Sequence, residues 1–338
     1  MIKLNNKFAI GCLVQWYEVE IFEEYIYSLI NSLQDIDNKH NVTVDICFNI
    51  AQNLEKIDES QMSMEDIFQR FLKVRDVLSE QNISKNIKFY PSGIQYINDK
   101  DLKPYTIADY RREFNERYCE EVDVLMWGET DALIPKQTFE ILDNLHTQVK
   151  NETPKYVAFF STCKMWDDSW RVLEHPEFTD KPFIEGDTEN WWSLRYTMNE
   201  DEMNEINGKV DELDIQVTHQ YKFNGCGLVF SSDVVKSGVN IPKSVFFVHE
   251  DTAFMHSLIK TFDGKIPQFV IKNILLVHNR KHPNKRNYVL GEDGIDKTNT
   301  GALRKAHSWY ESANKLCEHN AYNMFNQSKT YTWEDVEK

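Results

Sequence analysis

Apolar residues recur along the first half of the chain in two alternating rhythms. Phe8 to Gln15, reading FAIGCLVQ, is nearly all apolar, the pattern of a strand buried on both faces. Phe22, Ile26, Leu29, Ile30 and Leu33 then fall on one face of a helix. Val42 to Ile50 (VTVDICFNI) predicts a second strand, a helix follows around Ile67, Phe71, Val74 and Leu78, and Ile87 to Tyr90 predicts a third strand. A helix over Ile107 to Cys119 runs into the apolar stretch from Val122 to Trp127, a fourth strand. Strand and helix alternating at this spacing predict an α/β fold on a parallel sheet with right-handed crossovers. In open sheets of this kind ligands bind at the carboxyl ends of the strands. Those ends carry Gln15, Trp16 and Glu18, then Asn49, and then Glu129 and Asp131.

The second half is less regular. Strands are expected at Tyr156 to Phe160, Gly227 to Ser231 and Ile271 to Val277, and Val245 to Val248 reads as a short aromatic strand. Helices are expected at Asp251 to Thr261 and Leu303 to Glu318. No Pro/Gly/Ser-rich linker divides the halves, which predicts one domain around one sheet, the second half supplying loops that face the first.

Composition narrows the class. Of 338 residues, 41% are hydrophobic and 13% aromatic, a packed globular chain with no apolar run near the ~18–20 residues of a membrane span. The N-terminal Met1 to Lys7 lacks the apolar core of a secretory signal. Six cysteines are scattered without a Cys-x-x-Cys pair, a spacing that suits neither a zinc site nor a disulfide framework and points to the cytoplasm. A net charge of −16 argues against a general nucleic-acid binder. Charge is unevenly spread, however: His278 to Arg286 holds Arg280, Lys281, Lys285 and Arg286 and no acid.

Four short constellations carry candidate chemistry. Glu129-Thr130-Asp131 places two carboxylates in the turn after a buried strand, where buried charge must be paired or bind a cation. A solvated polar turn is the alternative. Asn224, Gly225 and Gly227 precede another strand and permit close backbone approach to a ligand, or only a tight turn. Glu250 and Asp251 begin a helix, as a catalytic pair or as ordinary helix-start acids. His278 opens the basic run, as a metal or phosphate ligand or as part of a solvated loop. Together these parts suit a nucleotide diphosphate leaving group, which needs a divalent metal on carboxylates and imidazole with cations nearby. An attacking hydroxyl needs a carboxylate base opposite. Trp191 and Trp192 are candidates for stacking on a sugar or base, or for filling a surface cluster.

In this order the motifs resemble the GT-A glycosyltransferases, specifically the family 2-like group, over roughly Phe8 to Arg286. The resemblance implies a Rossmann-like nucleotide-binding sheet with helices on both faces. It implies a domain over residues 1–290, with a nucleotide-sugar half (1–135) and an acceptor half (136–290), and a helical extension over 291–338. Glu129-Thr130-Asp131 occupies the place of the family's acidic motif, with Glu for its first Asp. Asp131 thereby inherits the metal, Mn2+ or Mg2+, together with His278. Glu129 faces the ribose or a metal-bound water. The helix bearing Asp109, Arg111 and Arg112 looks like the family's arginine helix, without its usual Ala-Arg-Asn wording. Asp251 matches the usual catalytic base beside Glu250, although two adjacent acids leave open which one is the base. The donor implied is a UDP-sugar. More loosely, the chain is similar to transferases of T-even-like bacteriophages and cyanophages that attach sugars, arabinose among them, to hydroxymethylcytosine in DNA. That similarity implies hydroxymethylated DNA as acceptor in a host cytoplasm. A glycan acceptor and a non-catalytic carbohydrate-binding protein of the same fold stand as alternatives. A nucleotidyltransferase would carry a glycine-rich basic loop where this chain has Gln15-Trp16-Tyr17-Glu18.

Overall fold

A computed structural model describes residues 1–15, 18–49, 64–89, 105–165, 167–182, 196, 198–222, 225–278 and 308–337. The first half forms β1 (Phe8–Gln15), α1 (Val19–Ser32), β2 (Val42–Asn49), α2 (Met64–Glu80), β3 (Ser84–Phe89), α3 (Ile107–Tyr118) and β4 (Val124–Trp127). Beyond it come β5 (Ala132–Leu133), α4 (Thr138–Val149), β6 (Val157–Ser161), α5 (Pro176–Thr179), α6 (Glu200–Asn207), β7 (Ile215–Thr218), β8 (Val229–Ser231) and α7 (Ser232–Lys236). The last elements are α8 (Glu250–Phe262), β9 (Gln268–Leu275), β10 (Val277–His278) and α9 (Ser308–Asn323).

Eight strands join in one sheet in the order β3-β2-β1-β4-β8-β6-β9-β7. The first four are parallel, as the strand–helix alternation predicts. The chain builds outward from β1 to β3 and then returns to lay β4 on the other side of β1. That reversal is the switch point at which such sheets open a ligand crevice. The second half departs from a purely parallel sheet, because β8 runs antiparallel to both β4 and β6, and β7 runs antiparallel to β9. β8 follows directly on the turn at Gly225–Gly227, and the Gly227 N–H bonded to the Trp127 carbonyl at 3.1 Å extends its antiparallel ladder with β4.

Alternation along each strand supplies the two buried faces. Phe8, Ile10, Cys12 and Val14 pack with α1, α2 and α4, and Ala9 and Leu13 pack with α3, α7 and α8. β4 divides likewise, Val124 and Met126 to the first face, Leu125 and Trp127 to the second. These two layers are the α/β sheet with helices on both faces that the sequence predicts.

Three differences have local causes. Val245 to Val248 is not a strand; Phe246 and Phe247 lie outside the sheet and are buried with Ala313 and Cys317 of α9 and with Val336, while the Trp333 ring lies 4.8 Å from that of Phe246, tilted by 53°. β7 was not signalled, since it lies at the sheet edge with Gln216 and Val217 exposed. α4 goes beyond the predicted set although Phe139, Leu142 and Leu145 have helical spacing. The strand ends expected at Ile50 and Tyr90, and the helix start at Leu303, lie outside the described residues.

Gly11 shows how tightly α3 is held. A Cβ there would lie 2.6 Å from the Phe114 ring and 2.8 Å from the Tyr110 hydroxyl. Gly11→Ala is expected to cost about 1–3 kcal/mol through overpacking, read as a lower urea midpoint with unchanged slope. A midpoint equal to the parent's would mean that α3 gives way freely.

Candidate active site

β1 and β4 run side by side at the switch point, β4 ending at Trp127 opposite Gly11, and α3 packs against both. α3 starts at a capping box in which Thr106 and Asp109 exchange hydrogen bonds, which fixes the helix one turn before its arginines. Arg111 then reaches in over Trp127, its guanidinium carbon 4.7 Å from the ring centroid. It is 2% exposed, and its fork meets three separate segments. Nη2 donates to Glu129 Oε1 at 2.7 Å and to the Gly225 carbonyl at 3.0 Å, and Nη1 donates to Glu250 Oε1 at 2.5 Å. The planar fork suits such divergent recognition, which a lysine ammonium does not copy.

Each partner is held from its own side. Glu129 sits in the turn closed by the Ala132 N–H on its carbonyl at 3.0 Å. Its second oxygen lies 3.2 Å from His278 Nε2. His278 is brought there by the antiparallel ribbon of β10 and β5, in which it pairs with Ala132. The Gly225 N–H donates to Asp251 Oδ2 at 3.1 Å, and Asp251 Oδ1 accepts from the Thr252 N–H at 2.7 Å. Glycine is required at 225, where any Cβ would run into the Arg111 guanidinium. α8 therefore starts at the site, its first two residues being Glu250 and Asp251, and the His249 before them lies in the left-handed region at φ 65°. Helix-start dipoles favour carboxylates at these positions.

The electrostatics are uneven. Burial by itself would raise the Glu129 carboxyl, but the His278 hydrogen bond and the Arg111 guanidinium hold it well below its ordinary range. Burial raises Glu250 to about 7, against the pull of Arg111 and helped by the neighbouring charge of Asp251. Burial, then the charges of Glu18 and Glu129, push the Cys12 thiol up, and Asp131 adds to it, so these carboxylates gather about the end of β1. One buried arginine faces several acids, an excess of negative charge that suits a cation.

Of the residues singled out in the sequence, Arg111, Glu129, Gly225, Glu250, Asp251 and His278 come together. Thr130 and Asp131 are buried in the same turn. Gln15, Glu18 and Asn49 form an adjoining cluster. There the Gln15 N–H donates to Glu18 Oε2 at 3.2 Å and the Asn49 amide donates to Gln15 Oε1 at 3.1 Å. Gly227 leads into β8. Asp109 and Arg112 stand apart, because Arg112 bonds Asp109 and the carbonyls of Ile241, Pro242 and Val245 and so braces the loop ahead of α8. Trp16, Trp191, Trp192, Asn224, Arg280, Lys281, Lys285 and Arg286 lie outside the described residues. Trp127 and Cys226 were not singled out. Among the described residues, Glu129, Cys226 and His278 bring one potential ligand atom each within 4.8 Å of one another, a set that fits a divalent cation. Asp131 is not part of that set.

Neither a protein-family model nor a curated protein matches the sequence. Among solved structures, the chain is similar to a mycobacterial protein at 10% identity, covering 93% of this chain and 75% of that one with a TM-score of 0.38. It is also similar to 4-diphosphocytidyl-2C-methyl-D-erythritol synthase from Anaerococcus prevotii at 10% identity, covering 82% and 94% with a TM-score of 0.36. A CMP:2-keto-3-deoxy-manno-octonic acid synthetase complexed with CTP overlaps at 8% identity, covering 78% and 88%, with a TM-score of 0.30. These overlaps are distant, and the site's own geometry carries the reading that follows.

Two expectations come from the arginine junction. Arg111→Met leaves Glu129 and Glu250 buried without their cation and is expected to destabilise the fold by about 3–5 kcal/mol, read by urea unfolding. Glu250 sets a pH dependence. Its folded value of about 7 lies above the ordinary 4.5, so its contribution is fully present below pH 4.5 and is lost as pH rises through about 7. Gln at this position does not titrate. The stability of the parent relative to Glu250→Gln should therefore fall by about 1–3 kcal/mol between pH 5 and pH 8 in the absence of divalent cations. A difference that does not change with pH would place Glu250 at its ordinary value.

Proposed function

We propose that the chain is an inverting glycosyltransferase that moves a sugar from a UDP-sugar to an acceptor hydroxyl. The observation that carries this reading is the Arg111 junction at the β1/β4 switch point. One guanidinium there ties the acidic turn, the glycine loop and the start of α8 into one cluster of carboxylates and imidazole. In the proposed reaction the acceptor oxygen attacks the anomeric carbon, and the bond to the diphosphate oxygen breaks on the opposite face. The hydroxyl proton passes to a carboxylate, and the diphosphate leaves with the electron pair.

Asp251 is the base in this reading. Its two oxygens each accept one backbone N–H, which aims the carboxylate while leaving it lone pairs, whereas Glu250 is locked beneath it on Arg111. Glu129 and His278 would hold a divalent cation, with Asp131 in the same turn, and it would supply charge neutralisation for the diphosphate; the family resemblance implies Mn2+ or Mg2+ in that place. Such neutralisation is often the largest catalytic contribution. Arg111 positions Glu129 and Glu250 and keeps their charges apart. The acceptor proposed with it is hydroxymethylcytosine in DNA, with arabinose among the candidate sugars, and the basic run from Arg280 to Arg286 supports it. A glycan acceptor is the second reading, favoured by the net charge of −16.

Incubation with a panel of UDP-sugars and hydroxymethylated DNA, plain DNA or glycans, followed by mass spectrometry of the digested products, tests both. Absence of any UDP release across the panel would sink the transferase reading. Asp251→Asn is expected to keep near-normal UDP-sugar binding and lose roughly 10²–10⁴-fold in turnover, with Glu250→Gln milder. Full turnover in Asp251→Asn with a large loss in Glu250→Gln would swap the two roles.

A further inference from the structure

We propose that Cys226 is a ligand, together with Glu129 and His278, of a single divalent cation, and that its thiolate makes the site one for zinc-class metals in preference to Mg2+. The three donors come from three distant parts of the chain: the turn after β4, the glycine loop before β8, and β10. Their ligand atoms nonetheless lie within 4.8 Å of one another. Each is seated by contacts that do not involve the other two. Arg111 holds Glu129 at 2.7 Å, the pairing with Ala132 fixes His278, and Cys226 lies between Gly225, whose carbonyl and N–H are both bonded, and Gly227, whose N–H is bonded to Trp127. Cys226 is itself 6% exposed, so its thiol is inside the site and not on a surface.

The distances suit a small tetrahedral ion. Glu129 Oε2 and His278 Nε2 stand 3.2 Å apart, close to the roughly 3.3 Å that two ligands about 2.0–2.1 Å from zinc subtend at a tetrahedral angle. With the ligand atoms within 4.8 Å of one another, the sulfur has to close by at most about 1.3 Å to reach the roughly 3.5 Å that a zinc–sulfur bond near 2.3 Å requires. Three protein ligands leave one coordination position open, which is the arrangement of catalytic and not of structural zinc. Charge balances as well: the Cys226 thiol gives its proton to solvent as the sulfur–metal bond forms. The thiolate and the Glu129 carboxylate then match the two positive charges, with neutral His278 as third donor. Mg2+ takes oxygen ligands in near-ideal octahedra and gains little from sulfur, whereas thiolate and imidazole favour Zn2+ and its close analogue Co2+.

This deepens the proposed function by naming the cation that would face the diphosphate. Its test needs no nucleotide and no turnover, so it fails or succeeds independently of the transferase reading. The full-length protein, stripped with chelator, is titrated with Co2+ and its near-ultraviolet absorption followed. The expected result is an intense thiolate-to-cobalt band that Zn2+ abolishes stoichiometrically and millimolar Mg2+ does not. Cys226→Ser, checked for folding by circular dichroism, is expected to lose the band and to bind Zn2+ at least ~100-fold more weakly. Cobalt bound by the unaltered protein without that band, or a band that persists in Cys226→Ser, overturns the proposal. Should the serine variant not fold, Cys226→Ala serves the same comparison, and the spectrum of the unaltered protein keeps its power to refute.

Discussion

A guanidinium buried over an indole is the constraint on which this site depends. Removing a charge from water costs several kcal/mol unless its hydrogen bonds are replaced and its charge is answered. Arg111 meets that demand by drawing in the turn after β4, the loop before β8 and the first turn of α8. None of these segments neighbours another in sequence. What brings them together is the sheet, because β4 and β8 are hydrogen-bonded partners and α8 packs on the same face as α3. The arginine thus turns a topological neighbourhood into a fixed geometry.

Two carboxylates share that cation and are driven in opposite directions. Glu129 has a second partner in His278 and stays ionised, while burial, and after it the charge of Asp251, push Glu250 up against the pull of Arg111. Environments that split the affinities of paired acids are how one fold assigns different roles to chemically similar groups. The same logic separates Arg111 from Arg112. Adjacent on a helix, they point about 100° apart, and one enters the site while the other binds carbonyls that brace residues 241–245.

The first half of the fold was legible because β1, β2 and β4 are buried on both faces and its helices on one, so these elements write their period plainly in Phe8–Gln15, Phe22–Leu33 or Ile107–Cys119. Val245–Val248 misled for the converse reason. Phe246 and Phe247 are buried by α9 and Trp333, and burial by a helix leaves the same composition as burial in a sheet. In the site, Glu129, Glu250 and His278 were visible because acids and imidazole at strand ends or helix starts stand out. Cys226 was not, since its companions are 97 residues upstream and 52 downstream by the numbering, and sequence spacing searches only for ligands close together. Arg112 looked as promising as Arg111, and only side-chain direction tells them apart.

The burial of Phe246 and Phe247 against α9 and Trp333 has a bearing on biosynthesis. On a translating ribosome Glu250 emerges well before Trp333. The stretch that aims Glu250 and Asp251 must therefore wait, with two phenylalanines uncovered, until the chain beyond residue 333 has been made. Through that interval Phe246 and Phe247 lack the apolar surface of α9, Trp333 and Val336 that covers them in the folded protein, and transiently exposed apolar surface of this kind is what makes incomplete chains prone to associate.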